Sequence, residues 1–249
     1  MILYFSGTGN TKFIANRLAA KLADDISDLG SIINNQDKWH FYSEKPFVIV
    51  CPIYAWRIPF KIENMLAKAS FTGSKDIYFI FSMGGQFGAA DKYVARLMQG
   101  NNLNIKGYTG ILMPDNFTIV FNAPTAEESD HIISLALDKI DLIANKINDN
   151  LALSATKHHY IDNFLSTMVN HGFAKFMMSA KRFGCNDDCI HCNLCVNNCP
   201  TNNIRFNGDQ LAFGNDCMFC LKCIQSCPTH AITYKGKKLA KGYYTCPKK

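Results

Sequence analysis

The 249-residue sequence lacks the segments that would carry a chain into or across a membrane. It contains no run of about 18 apolar residues, so we expect no membrane-spanning helix. Its first residues, Met1 to Phe5, are apolar, but they end at a Ser-Gly-Thr-Gly turn and lack the basic start of a signal peptide. These absences lead us to expect a cytoplasmic protein without a membrane partner.

Several signatures of catalytic and nucleotide-binding sites are also missing. The glycine-containing loop near the N-terminus has neither the lysine of a P-loop nor the G-x-G-x-x-G pattern of a dinucleotide site. No Ser-His-Asp arrangement and no zinc motif can be argued from the spacing. We therefore assign no catalytic residue from the sequence.

Cysteine, in contrast, is concentrated near the C-terminus. Two copies of the pattern C-x2-C-x2-C-x3-C-P occur, and they begin at Cys189 and Cys217. This is the run that holds a [4Fe–4S] cube in bacterial ferredoxins, where the fourth cysteine, before the proline, reaches the other cluster. Zinc ligands and disulfides are alternatives, but two complete copies with the terminal proline are far more specific for clusters.

Residues 183–235 resemble a two-cluster bacterial ferredoxin, because apolar and small residues also follow the two Cys-Pro pairs at similar distances. The resemblance implies two [4Fe–4S] clusters in a small α+β domain. Cluster I would be bound by Cys189, Cys192, Cys195 and Cys227. Cluster II would be bound by Cys217, Cys220, Cys223 and Cys199. Eight thiolates on oxygen-sensitive cubes favour a reducing compartment, in agreement with a cytoplasmic location.

The net charge of +6 does not indicate a nucleic-acid partner. Residues 1–150 carry 14 Lys and Arg against 15 Asp and Glu, whereas residues 151–249 carry 12 against 5. Each oxidised cube with four thiolates adds about −2. The loaded C-terminal part is therefore only mildly basic, and we expect no nucleic-acid binding.

The first 150 residues alternate short apolar runs with amphipathic segments, which predicts a parallel, doubly wound α/β sheet. The predicted strands are Ile2–Phe5, Phe47–Cys51, Ile77–Phe81 and Ile105–Met113, with a weaker one near Ile32 and Ile33. The predicted helices are Asn10–Ala23, Ile58–Ala69, Ala89–Met98 and a long helix after a capping box at Thr125.

A loop suited to a phosphate lies between the first strand and the first helix. It consists of Ser6, Gly7, Thr8, Gly9, Asn10 and Thr11. Hydroxyls and backbone amides at a helix N-terminus can donate hydrogen bonds to one phosphate monoester. A plain capped turn is the alternative, but the loop offers more donors than capping needs.

This loop is similar to the S/T-x-T-G-x-T phosphate loop of flavodoxins. Over residues 1–150 the resemblance implies a five-stranded sheet of order 2-1-3-4-5 that binds FMN at its strand ends. Two further loops would contact the isoalloxazine ring: Pro52, Ile53, Tyr54, Ala55 and Trp56, and Ser82, Met83, Gly84, Gly85, Phe87 and Gly88. Tyr54 and Trp56 would stack on the ring, unless they pack in the core. The Gly84 and Gly85 amides would contact its pyrimidine edge.

The whole chain resembles the flavodoxin–ferredoxin fusion proteins of anaerobic microbes. That resemblance implies an FMN domain over residues 1–150 and a two-cluster domain with a basic C-terminal tail over residues 183–249. It also implies that the segment Met113–Phe117 lies beside the flavin. Unlike small flavodoxins, which are usually strongly acidic, the first domain is near neutral.

Residues 151–182 between them predict a helical connector with a break near Gly172. We expect its apolar residues, among them Ile161, Leu165 and Phe173, to pack under the ferredoxin half.

The remaining cysteines and histidines have no assigned role. We expect Cys51 to fill the core and Cys246 to be free. Cys185 lies four residues before Cys189, and a role as a substitute or accidental cluster ligand is the alternative to no role at all. The connector histidines are surface or hydrogen-bonded residues more readily than proton donors to a flavin: His158, His159 and His171. The lysine-rich end is expected to be solvated, or to contact an acidic redox partner or a cofactor phosphate.

FMN holds one or two electrons, whereas each cube passes one at a time. We therefore expect an electron-transfer flavoprotein that couples a ferredoxin-like donor to a protein or small-molecule acceptor. The alternative is an FMN-dependent reductase of a specific organic substrate that receives electrons from the clusters. A redox sensor is a third hypothesis, although no output module is visible.

Overall fold

A computed structural model describes residues 1–153 and 160–246, apart from the side chains of Tyr160 and Ala174. Its central element is a five-stranded parallel sheet. The five strands are β1 (Ile2–Tyr4), β2 (Ile26–Asp28), β4 (Phe47–Pro52), β6 (Asp76–Met83) and β7 (Asn104–Leu112). They lie in the order β2-β1-β4-β6-β7, which is 2-1-3-4-5 when only these strands are counted. This is the flavodoxin-like order, so the predicted fold class is confirmed.

Helices cover both faces of this sheet. The long helix α5 (Ala126–Asn148) packs with α1 (Asn10–Leu22) on one face, and α3 (Phe60–Lys68) and α4 (Ala90–Leu97) pack on the other. The predicted capping box is present, because the Thr125 hydroxyl accepts from the Glu128 amide while the Glu128 carboxylate accepts from the Thr125 amide. Both faces are therefore buried, as continuous apolar strands require.

The second strand is not where the sequence pattern suggested, and the prediction near Ile32 and Ile33 is wrong. Residues Leu29–Ile32 form the short helix α2, which begins where the Asp28 side chain accepts a hydrogen bond from the Gly30 amide at 2.8 Å. A further parallel pair, β3 (His40–Ser43) with β5 (Ser70–Gly73), was not predicted.

The connector contains α6 (Tyr160–Phe164), a π-helical turn (Leu165–Val169) and α7 (Asn170–Phe176). Gly172 lies inside α7, so the predicted break there is wrong; the irregularity is the π-helical turn. His158 and His159 lie outside the described residues. His171 is exposed.

The connector contacts the sheet domain through polar groups and through Phe173, whose ring lies 5.9 Å from that of Phe117. Phe173 also packs on Phe219 of the ferredoxin half at 6.0 Å, as predicted. The buried Ser166 hydroxyl accepts from the Ala89 amide at 2.9 Å, and the Asn170 side chain donates to the Ala55 carbonyl at 2.7 Å. Several apolar side chains that we expected under the ferredoxin half are instead exposed: Ile161, Met168 and Phe176. In the part of the chain that the structure describes, no helix is long and apolar enough to cross a membrane.

The C-terminal region consists of two antiparallel strand pairs and two short helices. The first pair joins β8 (Phe183–Cys185) to β11 (Ile232–Tyr234), and the second joins β9 (Ile204–Asn207) to β10 (Gln210–Phe213). The helices are α8 (Leu194–Asn198) and α9 (Lys222–Gln225). Met218 is buried in the same core cluster as Phe5 and Ile58 of the sheet domain, so the two regions share a core.

Candidate functional site

The eight cysteines of the two motifs line two separate cavities. The cavity of cluster I, about 340 Å³ including the open space at its mouth, is lined by Cys189, Cys192, Cys195 and Cys227. The cavity of cluster II, about 390 Å³ by the same measure, is lined by Cys217, Cys220, Cys223 and Cys199. Each cavity thus receives three cysteines of one motif and the last cysteine of the other, which is the arrangement that the ferredoxin resemblance implied.

The loops that carry these cysteines turn through left-handed residues at equivalent positions. His191 and Phe219 have φ of 54° and 57°, and Asn193 and Leu221 both have φ of 59°. Such conformations are unfavourable for residues other than glycine. They curl each loop so that its cysteines face one cavity before α8 or α9 begins.

Backbone amides also point at the last cysteine of each motif. The Asn203 amide donates to the Cys199 sulfur at 3.3 Å, and the Ala231 amide donates to the Cys227 sulfur at 3.3 Å. Amide hydrogen bonds stabilise a thiolate and tune the reduction potential of a bound cluster. Both cavities are therefore built to hold negative sulfur ligands.

Burial opposes the thiolate form elsewhere in the cavities. It raises the pKa of Cys220 to about 12 and that of Cys195 to about 11. Because thiolates are the metal ligands, positive iron must compensate for their burial. Among the described residues, no three His, Cys, Asp or Glu side chains converge on a single metal ion; a cube instead takes each cysteine on a separate iron. The cysteine sets fit two cubes.

The predicted phosphate loop has the donors that a phosphate needs. The Ser6 hydroxyl accepts from the Gly9 amide at 3.1 Å, and the Thr8 hydroxyl accepts from the Asn116 side chain, so both keep their own protons for another acceptor. Thr11 is 1% exposed, and its hydroxyl makes no hydrogen bond within the described residues. Among the described residues, no side chain caps the N-terminus of helix α1, which begins after Gly9. These groups fit a single phosphate.

The cysteine loop of cluster II lies directly against this phosphate loop. A Cβ atom added at Gly7 would collide with the carbonyl oxygen of Cys220 and would stand 2.9 Å from the Tyr54 hydroxyl. Only glycine permits this approach. The cluster II cavity and the predicted phosphate loop are therefore neighbours across the domain boundary.

The C-terminal segment 241–246 closes over the other side of the loop. The Cys246 amide donates to the Thr8 carbonyl at 2.9 Å, and the Tyr244 hydroxyl donates to the Asn10 side chain at 2.9 Å. The Tyr244 amide in turn donates to Gln225 of α9 at 2.8 Å. We expected the lysine-rich end to be solvated, or to contact an acidic partner or a cofactor phosphate, whereas residues 241–246 pack on the loop. Cys246 is free, as predicted. The aromatic pair Tyr243-Tyr244 was the available signal for a packed segment.

The two predicted ring-binding loops lie at the same end of the sheet. In the first, Ala55 and Trp56 turn the chain with φ of 47° and 64°, and Tyr54 and Arg57 exchange backbone hydrogen bonds of 2.7 and 3.3 Å. In the second, Gly84 and Gly85 are exposed. Strain in non-glycine residues of this kind is typical of binding loops.

The aromatic side chains of the first ring loop are engaged with protein. Trp56 packs against Gly88, where an added Cβ would lie 3.0 Å from it. Burial, followed by the thiols of Cys220, Cys51 and Cys217, holds the pKa of Tyr54 well above its usual range. Tyr54 is therefore directed towards the cysteine loop. To stack on a flavin ring as predicted, the Tyr54 side chain would have to contact the ring and the cysteine loop at the same time.

Pro52, Ile53, Ser82, Met83 and Phe87 belong to these loops and line neither of the two cluster cavities. Pro52 and Ser82 are paired in the sheet, Ile53 and Met83 pack against the core, and Phe87 is buried within it. The segment Met113–Phe117 does reach the phosphate loop, because the Asn10 side chain donates to the Pro114 carbonyl at 2.8 Å. Cys51 is buried in the core.

A comparison with protein families agrees with the assignment of the C-terminal half. Residues 188–231 match the family model described as a 4Fe-4S dicluster domain. No curated protein matches the chain.

Solved structures similar to the chain cover its N-terminal part. One is an azoreductase from Bacillus anthracis str. Sterne, with 12% identity, TM-score 0.37, and coverage of 58% of this chain and 98% of that one. Another is a flavodoxin, WrbA-like protein from Agrobacterium tumefaciens, with 16% identity, TM-score 0.36, and coverage of 59% and 96%. At these scores the assignment of the fold rests on the strand order. The chain thus joins a flavodoxin-like domain to a 4Fe–4S dicluster domain, as in a flavodoxin–ferredoxin fusion, and is an iron–sulfur redox protein.

Proposed function

We propose that the protein passes single electrons between its two clusters and an FMN bound at the carboxyl ends of its parallel strands. The observation that carries this proposal is the contact of Cys220 with Gly7, which makes a cluster ligand the neighbour of the phosphate loop. Because the two domains also share a core through Met218, their separation is held constant. A constant short separation suits electron transfer within one molecule.

Electrons would enter at cluster I. Cys192 is exposed, and Ile190 and Leu194 beside it are exposed apolar side chains. Exposed apolar residues around a redox centre are the surface that a small redox protein contacts. We infer that a ferredoxin-like donor or acceptor docks on this face.

The residues that would hold FMN divide into a phosphate group and a ring group. The hydroxyls of Ser6, Thr8 and Thr11 would bind the phosphate, and the amides of Gly84 and Gly85 would face the ring edge. The loop has donors for one phosphate and no diphosphate signature, which favours FMN over FAD. When bound, FMN would supply the conversion between one-electron and two-electron chemistry.

Hydrogen bonds from the connector would hold the first ring loop in position beside the flavin. Asn170 of α7 donates to both the Tyr54 and the Ala55 carbonyls, at 3.2 and 2.7 Å. The connector therefore holds this loop against the sheet domain. This role is structural and needs no catalytic residue.

A reductase of an organic substrate is the second candidate, and the second ring loop favours it. Gly84 and Gly85 are exposed, and a Cβ added at Gly85 would meet no atom within 4 Å. An open side of this kind would admit a small molecule. A substrate that reoxidises the reduced flavin in a single turnover, without a protein acceptor, would support this candidate.

The test of the proposed function begins with anaerobic preparation of the full-length protein. We expect about eight iron and eight sulfide atoms and one FMN per chain. A pre-reduced ferredoxin should then reduce the flavin in a fast phase that follows cluster reduction in stopped-flow spectra. Iron without flavin, after reconstitution with FMN, would restrict the function to the clusters, and stoichiometric zinc without sulfide would refute it entirely.

A further inference from the structure

The cavity of cluster I contains a fifth cysteine. Cys185, at the end of β8, lines this cavity together with Cys189, Cys192, Cys195 and Cys227. It is placed there by the pairing of β8 with β11, in which Cys185 stands opposite Ile232, five residues after Cys227. Five sulfur atoms therefore surround a site that needs four.

The internal repeat shows that this position adjoins a cluster in both halves. Cys189 and Cys217 begin the two motifs 28 positions apart, so Cys185 corresponds to Phe213. Phe213 lines the cavity of cluster II in the same way. Where cluster II has an aromatic ring, which is stacked 5.9 Å from Phe183, cluster I has a thiol.

The surroundings of the Cys185 thiol leave it available to the cluster. Its hydrogen bond to a protein oxygen is a weak one, to the Asn186 carbonyl at 3.5 Å. The next turn of the chain carries Cys189, since Asn186 and Cys189 are joined by a backbone hydrogen bond of 3.3 Å. Cys185 thus directly precedes one tight turn and Cys189 ends it, and both cysteines line the cavity.

We propose that Cys185 is a fifth thiol of cluster I, which donates an S–H hydrogen bond to the cluster and replaces Cys189 as a ligand when Cys189 is lost. In the replacement, Cys185 loses its proton to solvent and forms one sulfur–iron bond, and no electron is transferred. In the intact site, the S–H donor stabilises the more negative, reduced cluster. The proposal rests on the presence of cluster I, which the iron content of the unaltered protein tests separately.

Iron and sulfide analysis of anaerobically purified variants tests the replacement. Cys189→Ala should keep about eight iron atoms, whereas Cys185→Ala with Cys189→Ala should keep about four. The matched control is Cys217→Ala, which has Phe213 in place of a spare thiol and should lose about four iron atoms on its own. Equal loss of iron in Cys189→Ala and in the double variant would overturn the replacement.

A redox titration followed by electron paramagnetic resonance tests the hydrogen bond without removing a ligand. Cys185→Ala should lower the reduction potential of cluster I and leave that of cluster II unchanged. Cys185→Ser, which keeps a hydroxyl donor, should give a smaller shift in the same direction. An unchanged potential in Cys185→Ala would overturn the assignment of Cys185 as a donor, whatever the stability of the Cys189 variants.

Discussion

The two cluster sites have nearly the same backbone but opposite surroundings. Positions 28 residues apart share their left-handed turns, and the pair Asn202 and His230 repeats this agreement with φ of 52° and 53°. Ile190 in the first motif is 62% exposed, whereas its counterpart Met218 is 1% exposed. The coordination geometry is therefore set within each loop, and the environment is set by what the loop packs against.

This difference in exposure makes the two cluster sites an outer and an inner one. Cluster I faces solvent, and cluster II faces the sheet domain through Cys220 and Met218. A burial difference of this kind also separates reduction potentials, since solvent exposure and hydrogen bonds to sulfur tune them. Under the proposed function, the duplicated motif would form an electron path with cluster I at its outer end and cluster II at its inner end.

The strongest test of this direction removes one ligand at a time. Cys192→Ala and Cys220→Ala should each lower the iron content by about half. Either variant should abolish the fast phase of flavin reduction by a pre-reduced ferredoxin, because each interrupts the same path. Stopped-flow reduction measures this phase. A Cys192 variant that reduces its flavin as fast as the unaltered protein would show that cluster I is not where electrons enter.

Loss of the phosphate donors should affect the flavin and spare both clusters. Thr8→Ala with Thr11→Ala removes two hydroxyls that would bind a charged phosphate, at a cost of about 1.5–3 kcal/mol each. We expect flavin affinity to fall at least roughly 100-fold, with the iron content nearly unchanged. Fluorescence titration with FMN measures the affinity. Undiminished binding would mean that this loop does not hold the phosphate.

Ile190 and Met218 occupy equivalent positions in the two motifs, and their truncation to alanine should change the free energy of unfolding by different amounts. Met218→Ala empties a buried position and should lower the free energy of unfolding by about 2–4 kcal/mol. Ile190→Ala changes an exposed side chain and should shift it by less than about 0.5 kcal/mol. Denaturant unfolding of the anaerobic, cluster-loaded protein measures both. Equal effects would contradict the burial difference between the two sites.

A modest effect is expected at the C-terminal segment. Tyr244→Phe removes the hydroxyl that donates to Asn10 and should lower the free energy of unfolding by about 0.5–1.5 kcal/mol. The matched control is Tyr243→Phe, since Tyr243 belongs to the ferredoxin half and stacks on His230 at 3.7 Å. If FMN affinity changes more in the Tyr244 variant than in the Tyr243 variant, the segment contributes to the phosphate site.

Features set by residues close together in the sequence could be predicted, whereas contacts between residues far apart in the sequence could not. The cysteine sets and the capping box at Thr125 depend on spacings of a few residues, and the four long sheet strands are continuous apolar runs. The strand β2 has only three residues and no apolar run, so propensity did not reveal it. The contacts of Tyr54 and Tyr244 join parts of the chain that are far apart in sequence, and local patterns carry no information about them.

The contact between Cys246 and the loop at Thr8 can form only late in the synthesis of the chain. Thr8 is synthesised 238 residues before Cys246, whose amide donates to it (246 − 8 = 238). At about 5–20 residues per second, the N-terminal sheet has several seconds or more in which its phosphate site is uncovered. Cofactor loading during translation would take place in this interval, and the folding of residues 241–246 onto the loop would end it.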